Sequence, residues 1–392
     1  MKIGVITFCE TMENYGQLAQ ACALQIYLEE KGHSPFLIKY DKSHEVKSRK
    51  PGFTQKMKQI NWSKLLDPNA LISKIENMTK GVAPLPDRKF EEFKDDFLKF
   101  DRHSYTRCSE LQLNPPEADL YITGSDQVWN HQYTGDPKPF FLQFGSANAK
   151  RASYAASFGH KELPESIMNE YEQYLRSFNA IGVREKSGLE LCRQMGYGDA
   201  SLLPDPTLLI SKEKWMEYSQ PIDAFRKDAK KKILVYTLGN RSSELKDQTL
   251  KYLKQDSEKD LSVVHVSINK DTDGDTFPTI PQWFDLFNQA DMVITNSFHG
   301  TLFSIIFRKN FLSIPSSGTK AGMNERLFTV LEKFNLFDHL LTEFSPEYIN
   351  LMMDQTIDWT GVEAEIEEWK RVADRFIDRL IYPTVSTQSQ LA

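Results

Sequence analysis

The segment Asn296-Ser297-Phe298-His299-Gly300-Thr301 carries the residue types that most directly suggest chemistry. The apolar run 291–295 before it reads as a buried strand, and a helical pattern over 299–308 follows, so the segment is the turn between them. A helix start presents unpaired N–H groups and the positive end of the helix dipole, both of which favour an anion. Ser297 and Thr301 add hydroxyls, Gly300 permits close approach to the backbone, and His299 can hold or transfer a proton near neutral pH. A histidine serving only as a structural residue is the alternative for His299.

A second cluster, Gly124-Ser125-Asp126-Gln127-Val128-Trp129-Asn130, directly follows the strand-like run 119–123. Asp126 there is a candidate base for a hydroxyl, or else a turn or helix cap, while Ser125, Trp129 and Asn130 are candidates to line a cleft. Asn14, Tyr15 and Gly16 begin the first helical pattern and are candidates to line the acceptor side or the cleft; Asn14 either meets a ligand or caps that helix. Arg184 ends the strand-like run 180–183 and offers a fixed cation to a carboxylate or phosphate, with a salt bridge to a neighbour as its other reading. Lys320 and Arg326 lie in the glycine-containing stretch 318–326 with Asn324, which reads as an anion-facing loop; Arg326 packed on a helix surface is the alternative.

These groups need a frame that collects strand ends. Short apolar runs at 2–8, 36–40, 119–124, 151–157 and 180–183 alternate with helical spacing at 15–31, 163–178 and 185–195. Prolines 204, 206 and 221, followed by the charged stretch 226–232, mark a boundary. A second alternating series then runs through strands 233–238, 261–268, 291–295 and 311–314 and helices 243–255, 282–290 and 299–308. Such alternation predicts an α/β fold with two Rossmann-type doubly wound domains facing a cleft, a GT-B-like arrangement. The domains expected are 1–210, with a helical insertion at about 41–115, 211–361 carrying the histidine turn, and 362–392 as a terminal helix and tail. That helix is amphipathic and either closes the second core or crosses back to the first domain. The ligand site of such a sheet lies beyond the carboxyl ends of its strands.

Composition narrows the function. The 392 residues carry 48 Lys and Arg against 54 Asp and Glu, a net charge of −6, without the basic footprint that nonspecific nucleic-acid binding requires. The four cysteines form no CxxC pair, so neither a zinc cluster nor a disulfide framework is expected, and no metal or cofactor is called for. No stretch approaches the ~20 apolar residues of a membrane span, and the N-terminus lacks a secretory pattern, so the expected location is the cytoplasm. Residues 41–64 hold seven basic residues against two acids, which reads as a solvated flap or as a patch for peripheral contact with the inner face of a membrane. GxGxxG opening the first helix, GxxxxGK[ST], GxSxG and HExxH are all missing, which lowers Rossmann dehydrogenases, P-loop enzymes, serine hydrolases and zincins.

The opening strand with Asn14-Tyr15-Gly16 and the helix Gln20 to Leu28, Gly124-Ser125-Asp126-Gln127-Val128-Trp129-Asn130, Ser153-Tyr154-Ala155-Ala156-Ser157-Phe158-Gly159, Val183-Arg184-Glu185, Asp205-Pro206-Thr207 and Asn296-Ser297-Phe298-His299-Gly300 resemble the polysaccharide pyruvyl transferase family over most of the chain. The resemblance implies transfer of an enolpyruvyl-derived group from phosphoenolpyruvate, as co-substrate, to a sugar or lipid-linked oligosaccharide acceptor, giving a pyruvate ketal. On that chemistry His299 is the expected proton-transfer or phosphate-contacting group. Arg184, Arg326 and Lys320 are expected on the donor anions, and Asp126 on the acceptor side. Two other readings fit the fold: a nucleotide-sugar-dependent glycosyltransferase, and a noncatalytic sugar- or carrier-binding component of polysaccharide assembly. Acceptor identity, ketal stereochemistry and oligomeric state are open at this level.

Overall fold

The computed structural model describes residues 1–11, 13–42, 87–238, 244–255, 260–267 and 276–382, and no side chain at 319 or 320. Eleven strands are described: β1 Lys2–Ile6, β2 Ser34–Tyr40, β3 Phe100–Tyr105, β4 Leu120–Thr123, β5 Lys150–Ala156, β6 Ala180–Val183, β7 Ser201–Leu202, β8 Lys231–Thr237, β9 Leu261–Ser267, β10 Met292–Thr295 and β11 Asn310–Ser313. They form two sheets, ordered β3-β2-β1-β4-β5-β6-β7 and β11-β10-β8-β9, and every strand pair is parallel. The continuous burial of β4 and β10 is what a parallel sheet covered by helices on both faces demands. From β3 to β6 the first sheet has the strand order of a doubly wound fold, and the second sheet reverses direction between β8 and β10.

Within the insertion expected at 41–115, the described part does more than cover the surface. The helix Phe90–Phe97 is followed by β3, which pairs with β2 and becomes an edge of the first sheet. Its sequence Phe-Asp-Arg-His-Ser-Tyr has no apolar run because an edge strand buries little, so hydrophobic patterning missed it. The two-residue strand β7 was missed for its length. Most of the basic stretch 41–64 lies outside the described residues.

The terminal helix Trp359–Ile381 touches both units. Trp369 packs edge-on to Phe334, while its indole N–H donates to the Leu202 carbonyl. Tyr27 Oη donates to Asp374, Lys31 pairs with Asp374 at 2.9 Å, and Lys150 Nζ donates to the Leu380 carbonyl. At the other side of the seam Tyr15, on the helix Tyr15–Glu30, stacks on Trp283 at 5.4 Å and donates its hydroxyl to the Pro278 carbonyl. One continuous apolar cluster accordingly runs from Ile3 and Leu24 through Trp215 to Phe303 and Ile377. The four cysteines are buried, and no disulfide joins them.

Candidate functional site

The facing strand ends meet at Asp205, a buried carboxylate that follows β7 and caps the short turn Pro206–Leu209 by accepting from the Thr207 amide. Its other oxygen, Oδ2, accepts from Arg184 Nη1 at 2.7 Å and from Ser125 Oγ at 3.1 Å, and lies 3.5 Å from His299 Nε2. One carboxylate oxygen thus joins the ends of β4, β6 and β10. Arg184 reaches on to Asp126 at 3.4 Å, and Arg326 approaches the same Asp126 oxygen at 3.8 Å. The two guanidiniums stand over the Phe298 ring, 4.7 and 5.1 Å from its centroid. Two like charges share one aromatic face because Asp126 lies between them.

The local sequence explains each placement. Gly124 adopts φ 108°, and a side chain there would press against the Tyr154 carbonyl oxygen at 2.4 Å. Asp126 is held left-handed at φ 66°, a conformation aspartate tolerates better than most residues, and its carbonyl accepts the Ser157 amide. In the second unit Asn296 stitches the end of β10 to Leu238 through both its amide groups. Ser297 caps the helix Phe298–Ile306 by accepting the Gly300 amide, and Gly300 packs where a Cβ would meet Thr295 Oγ1 at 2.3 Å. Asn324 closes the 316–324 loop with two bonds to Ser316, which sets the start of the helix Glu325–Lys333 and the place of Arg326.

The charges hold one another. Burial pushes the Asp126 carboxyl up, but Arg184, then His299 and Arg326, outweigh it and hold it below the usual carboxylate range. At Asp205 burial is likewise overcome, by His299 first and then Arg184, and its carboxyl lies well below that range. Arg326 is pushed down to about 10 by burial and the nearby Arg184. Glu185, whose Oε1 accepts the Phe158 amide at 2.9 Å, is raised by burial despite the two arginines. Among the described residues Arg184 Nε and Asn14 Oδ1 are buried with no hydrogen-bond partner, and His299 Nε2 has no polar partner closer than Asp205 Oδ2 at 3.5 Å. A buried polar atom of this kind is a natural contact for a bound molecule.

The sequence expectations divide on these contacts. His299, Arg184, Asp126, Ser125 and Arg326 come together. Gly16 joins them from the first helix: a Cβ there would fall 2.3 Å from His299 Nδ1, so this glycine seats the imidazole. Ser297, Gly300 and Thr301 have polar groups taken up at the helix start, because Thr301 Oγ1 bonds the Ser297 carbonyl and Ser313. Two cleft-lining expectations are corrected. Trp129 is wholly buried, stacked on Phe141 and donating to the Phe140 carbonyl, because its large ring serves the core between β4 and the helices. Tyr15 is likewise buried, and joins the two units instead of facing a cleft. Asn130 is buried in bonds to Gln127 and His160. Asn14 begins its helix with no side-chain cap bond. The Lys320 side chain lies outside the described residues.

As single residues in the sequence, Asp205, Glu185 and Phe298 give no sign of their place in the cluster. Asp before Pro and Thr looks like an ordinary cap, which Asp205 also is. Among the described residues no three His, Cys, Asp or Glu side chains are grouped to hold a metal ion, and no helix is long and apolar enough to cross a membrane.

Comparison with known proteins agrees with this architecture. The family model for polysaccharide pyruvyl transferases matches residues 14–318. Among solved structures, the UDP co-structure of MnaA from S. aureus superposes with a TM-score of 0.53 at 11% identity, covering 97% of this chain and 96% of that one. UDP-N-acetylglucosamine 2-epimerase from Rickettsia bellii gives 0.51 at 12% identity, over 97% and 96%. At such identity the likeness is one of fold, the GT-B type of two facing α/β units. No curated protein matches the sequence.

Proposed function

The chain belongs to the polysaccharide pyruvyl transferase family, and from that premise we propose that it moves the enolpyruvyl-derived group of phosphoenolpyruvate onto a sugar, free or lipid-linked, and closes a pyruvate ketal. The observation that carries this reading is the pair of guanidiniums over Phe298, joined through Asp205 to the buried imidazole of His299. Phosphoenolpyruvate is small and bears a carboxylate and a phosphate, so it needs two fixed cations and a proton carrier within a few ångströms of each other. Among the described residues Arg326 pairs only with Asp126, at 3.8 Å, and is the cation left for a donor anion. Arg184 is engaged by Asp205 and Asp126, and its part is to hold both carboxylates in place while offering Nε.

The reaction asks for a sugar oxygen to bond C2 of the donor, a proton to reach the methylene C3, and phosphate to leave from the tetrahedral centre before the second hydroxyl closes the ring. In this reading His299 supplies the C3 proton, and Asp205, 3.5 Å from Nε2, positions the imidazole. A positioned acid of this kind contributes ~10² to 10⁴-fold in rate.

The test is a thermal-shift screen of phosphoenolpyruvate against UDP- and dTDP-sugars, coupled to phosphate release with a panel of hexose and N-acetylhexosamine glycosides. A ligand at 100 times its Kd adds ~2.7 kcal/mol of stability. Phosphoenolpyruvate should shift the wild type, with the shift reduced in Arg326→Ala, and phosphate release should fall in His299→Ala. A shift with a nucleotide sugar and none with phosphoenolpyruvate would move the protein to glycosyl transfer. Salt-sensitive vesicle binding with no donor turned over would make it a noncatalytic component.

A further inference from the structure

Two glutamines are buried among apolar neighbours on the helix Tyr15–Glu30. Gln25 is accounted for locally: its Nε2 donates to the Phe97 carbonyl at 3.0 Å and its Oε1 accepts the Lys99 amide at 2.7 Å, which fastens the chain entering β3. Gln20 is different. Its Nε2 donates to Thr7 Oγ1 at 3.0 Å and to the Gln17 carbonyl at 2.9 Å, while its Oε1 has no partner among the described residues. Leaving a buried oxygen unpaired costs free energy, so packing alone would favour an apolar side chain here. What the glutamine adds is the bond to Thr7.

Donor and acceptor capacity fixes the direction of the chain that starts there. An amide N–H can only donate, so Thr7 Oγ1, just beyond β1, accepts from Gln20 and gives its own hydrogen to the Ser125 carbonyl at 2.9 Å. At its other end Ser125 accepts on Oγ from Arg184 Nη1 at 3.3 Å and donates to Asp205 Oδ2 at 3.1 Å, the oxygen that lies 3.5 Å from His299 Nε2. Ser125 is therefore held at both its carbonyl and its hydroxyl, and the same turn continues into the left-handed Asp126, whose carbonyl takes the Ser157 amide. Gln20, Thr7 and Ser125 are all buried, so bulk water does not replace a lost bond. Gly16, against which the imidazole of His299 packs, lies one turn before Gln20 on the same helix face. One face of one helix thus touches His299 through Gly16 and the turn of Ser125 and Asp126 through Gln20 and Thr7.

We propose that Gln20 is a positioning residue of this site: through Thr7 it fixes the turn that sets Ser125 on Asp205 and Asp126 beside the two arginines, and it keeps that turn in register with the helix that seats His299. This deepens the transferase reading and rests on it. Arg326, the cation left for the donor, stands on the helix Glu325–Lys333 of the second unit, so loss of the chain should disturb alignment of the reacting groups more than donor binding.

Glutamine side chains labelled with nitrogen-15 report the bond by NMR of the whole protein without any substrate. The Gln20 signal, identified by its loss in Gln20→Met, should show two protected amide protons; Thr7→Val should move one of them upfield and Thr7→Ser should not. A Gln20 signal indifferent to Thr7→Val would overturn the proposal. In phosphate release, a misplacement of ~1 Å costs on the order of 10²-fold, so Gln20→Met and Thr7→Val should each lower kcat by ~10-fold or more, with KM for phosphoenolpyruvate changed less than ~3-fold. Thr7→Ser, which keeps the hydroxyl, should recover most of the lost rate. The double variant should be no slower than the slower single one, because both break the same chain. Gln25→Met removes a comparable buried amide from the same helix and should keep kcat within ~3-fold of the wild type. Equal losses of rate in Gln25→Met and Gln20→Met, or single effects that multiply in the double variant, would make Gln20 a structural residue only and refute the proposal. Absence of both a phosphoenolpyruvate shift and phosphate release in the wild type would instead refute the parent reading, with the labelled spectrum still deciding the Thr7 bond.

Discussion

Replacing Gly16 by alanine isolates the contact on which His299 depends. The added Cβ would lie 2.3 Å from Nδ1, 2.4 Å from Cγ and 2.6 Å from Cβ of the imidazole, against ordinary contacts of 3.4 Å or more, so ring and helix must separate by about 1 Å. Alanine favours a helix over glycine by ~1 kcal/mol, and in open space the change would stabilise. Here overpacking of ~1–3 kcal/mol opposes it, so the net should be neutral to ~2 kcal/mol destabilising. A displacement of ~1 Å at a reacting group costs on the order of 10²-fold in rate, so activity should fall much further than stability does. Urea unfolding and phosphate release would be measured for Gly16→Ala, His299→Gly and the double variant. Removing the whole side chain, Cβ included, takes away all three close contacts and should return the lost stability, giving a coupling of ~1 kcal/mol or more. Strictly additive stabilities, or a single variant with wild-type rate, would refute the claim that Gly16 seats the imidazole.

Asp205→Asn leaves Arg184 buried with one fewer anion and should cost ~3–5 kcal/mol in urea unfolding; a loss under ~1 kcal/mol would mean the shared oxygen is dispensable. Because Asp126 and Asp205 sit below their unfolded values, they contribute stability that is complete above about pH 4 and disappears as pH falls through their folded values. The urea midpoint should therefore drop steeply below pH 4, and less steeply in Asp205→Asn. Glu185, raised by burial, works in the opposite sense and favours the fold more at low than at neutral pH, so Glu185→Gln should flatten the neutral-side decline. Tyr15→Phe removes the bond to the Pro278 carbonyl and should lower stability by ~1 kcal/mol without a change in KM for phosphoenolpyruvate beyond ~3-fold, because Tyr15 joins the units and does not face the donor.

Local order was legible along the chain. The run that became β10 is mostly apolar, since a central parallel strand is buried on both faces, and the helix Phe298–Ile306 follows where the helical spacing over 299–308 predicts one. Strand β3 was not legible, because its partner strand supplies the reason for it and its own residues show no pattern. The same holds for residues whose polar groups look free in one dimension. Ser297 and Thr301 turned out to bond their own helix, and Trp129 was claimed by the core.

The amino-acid order by itself determined the alternation of strands and helices, the strand ends on which His299, Arg184 and Asp126 would sit, and the family to which these motifs are similar. Backbone periodicity and turn chemistry are local, and a single chain segment states them. Docking of the two sheets alone decided that Asp205 is shared by Arg184 and His299, that Gly16 backs the imidazole, and that Arg184 and Arg326 meet over Phe298. Those contacts join elements distant in sequence, and their distances follow from how two cores close on a common seam, which no local spacing encodes.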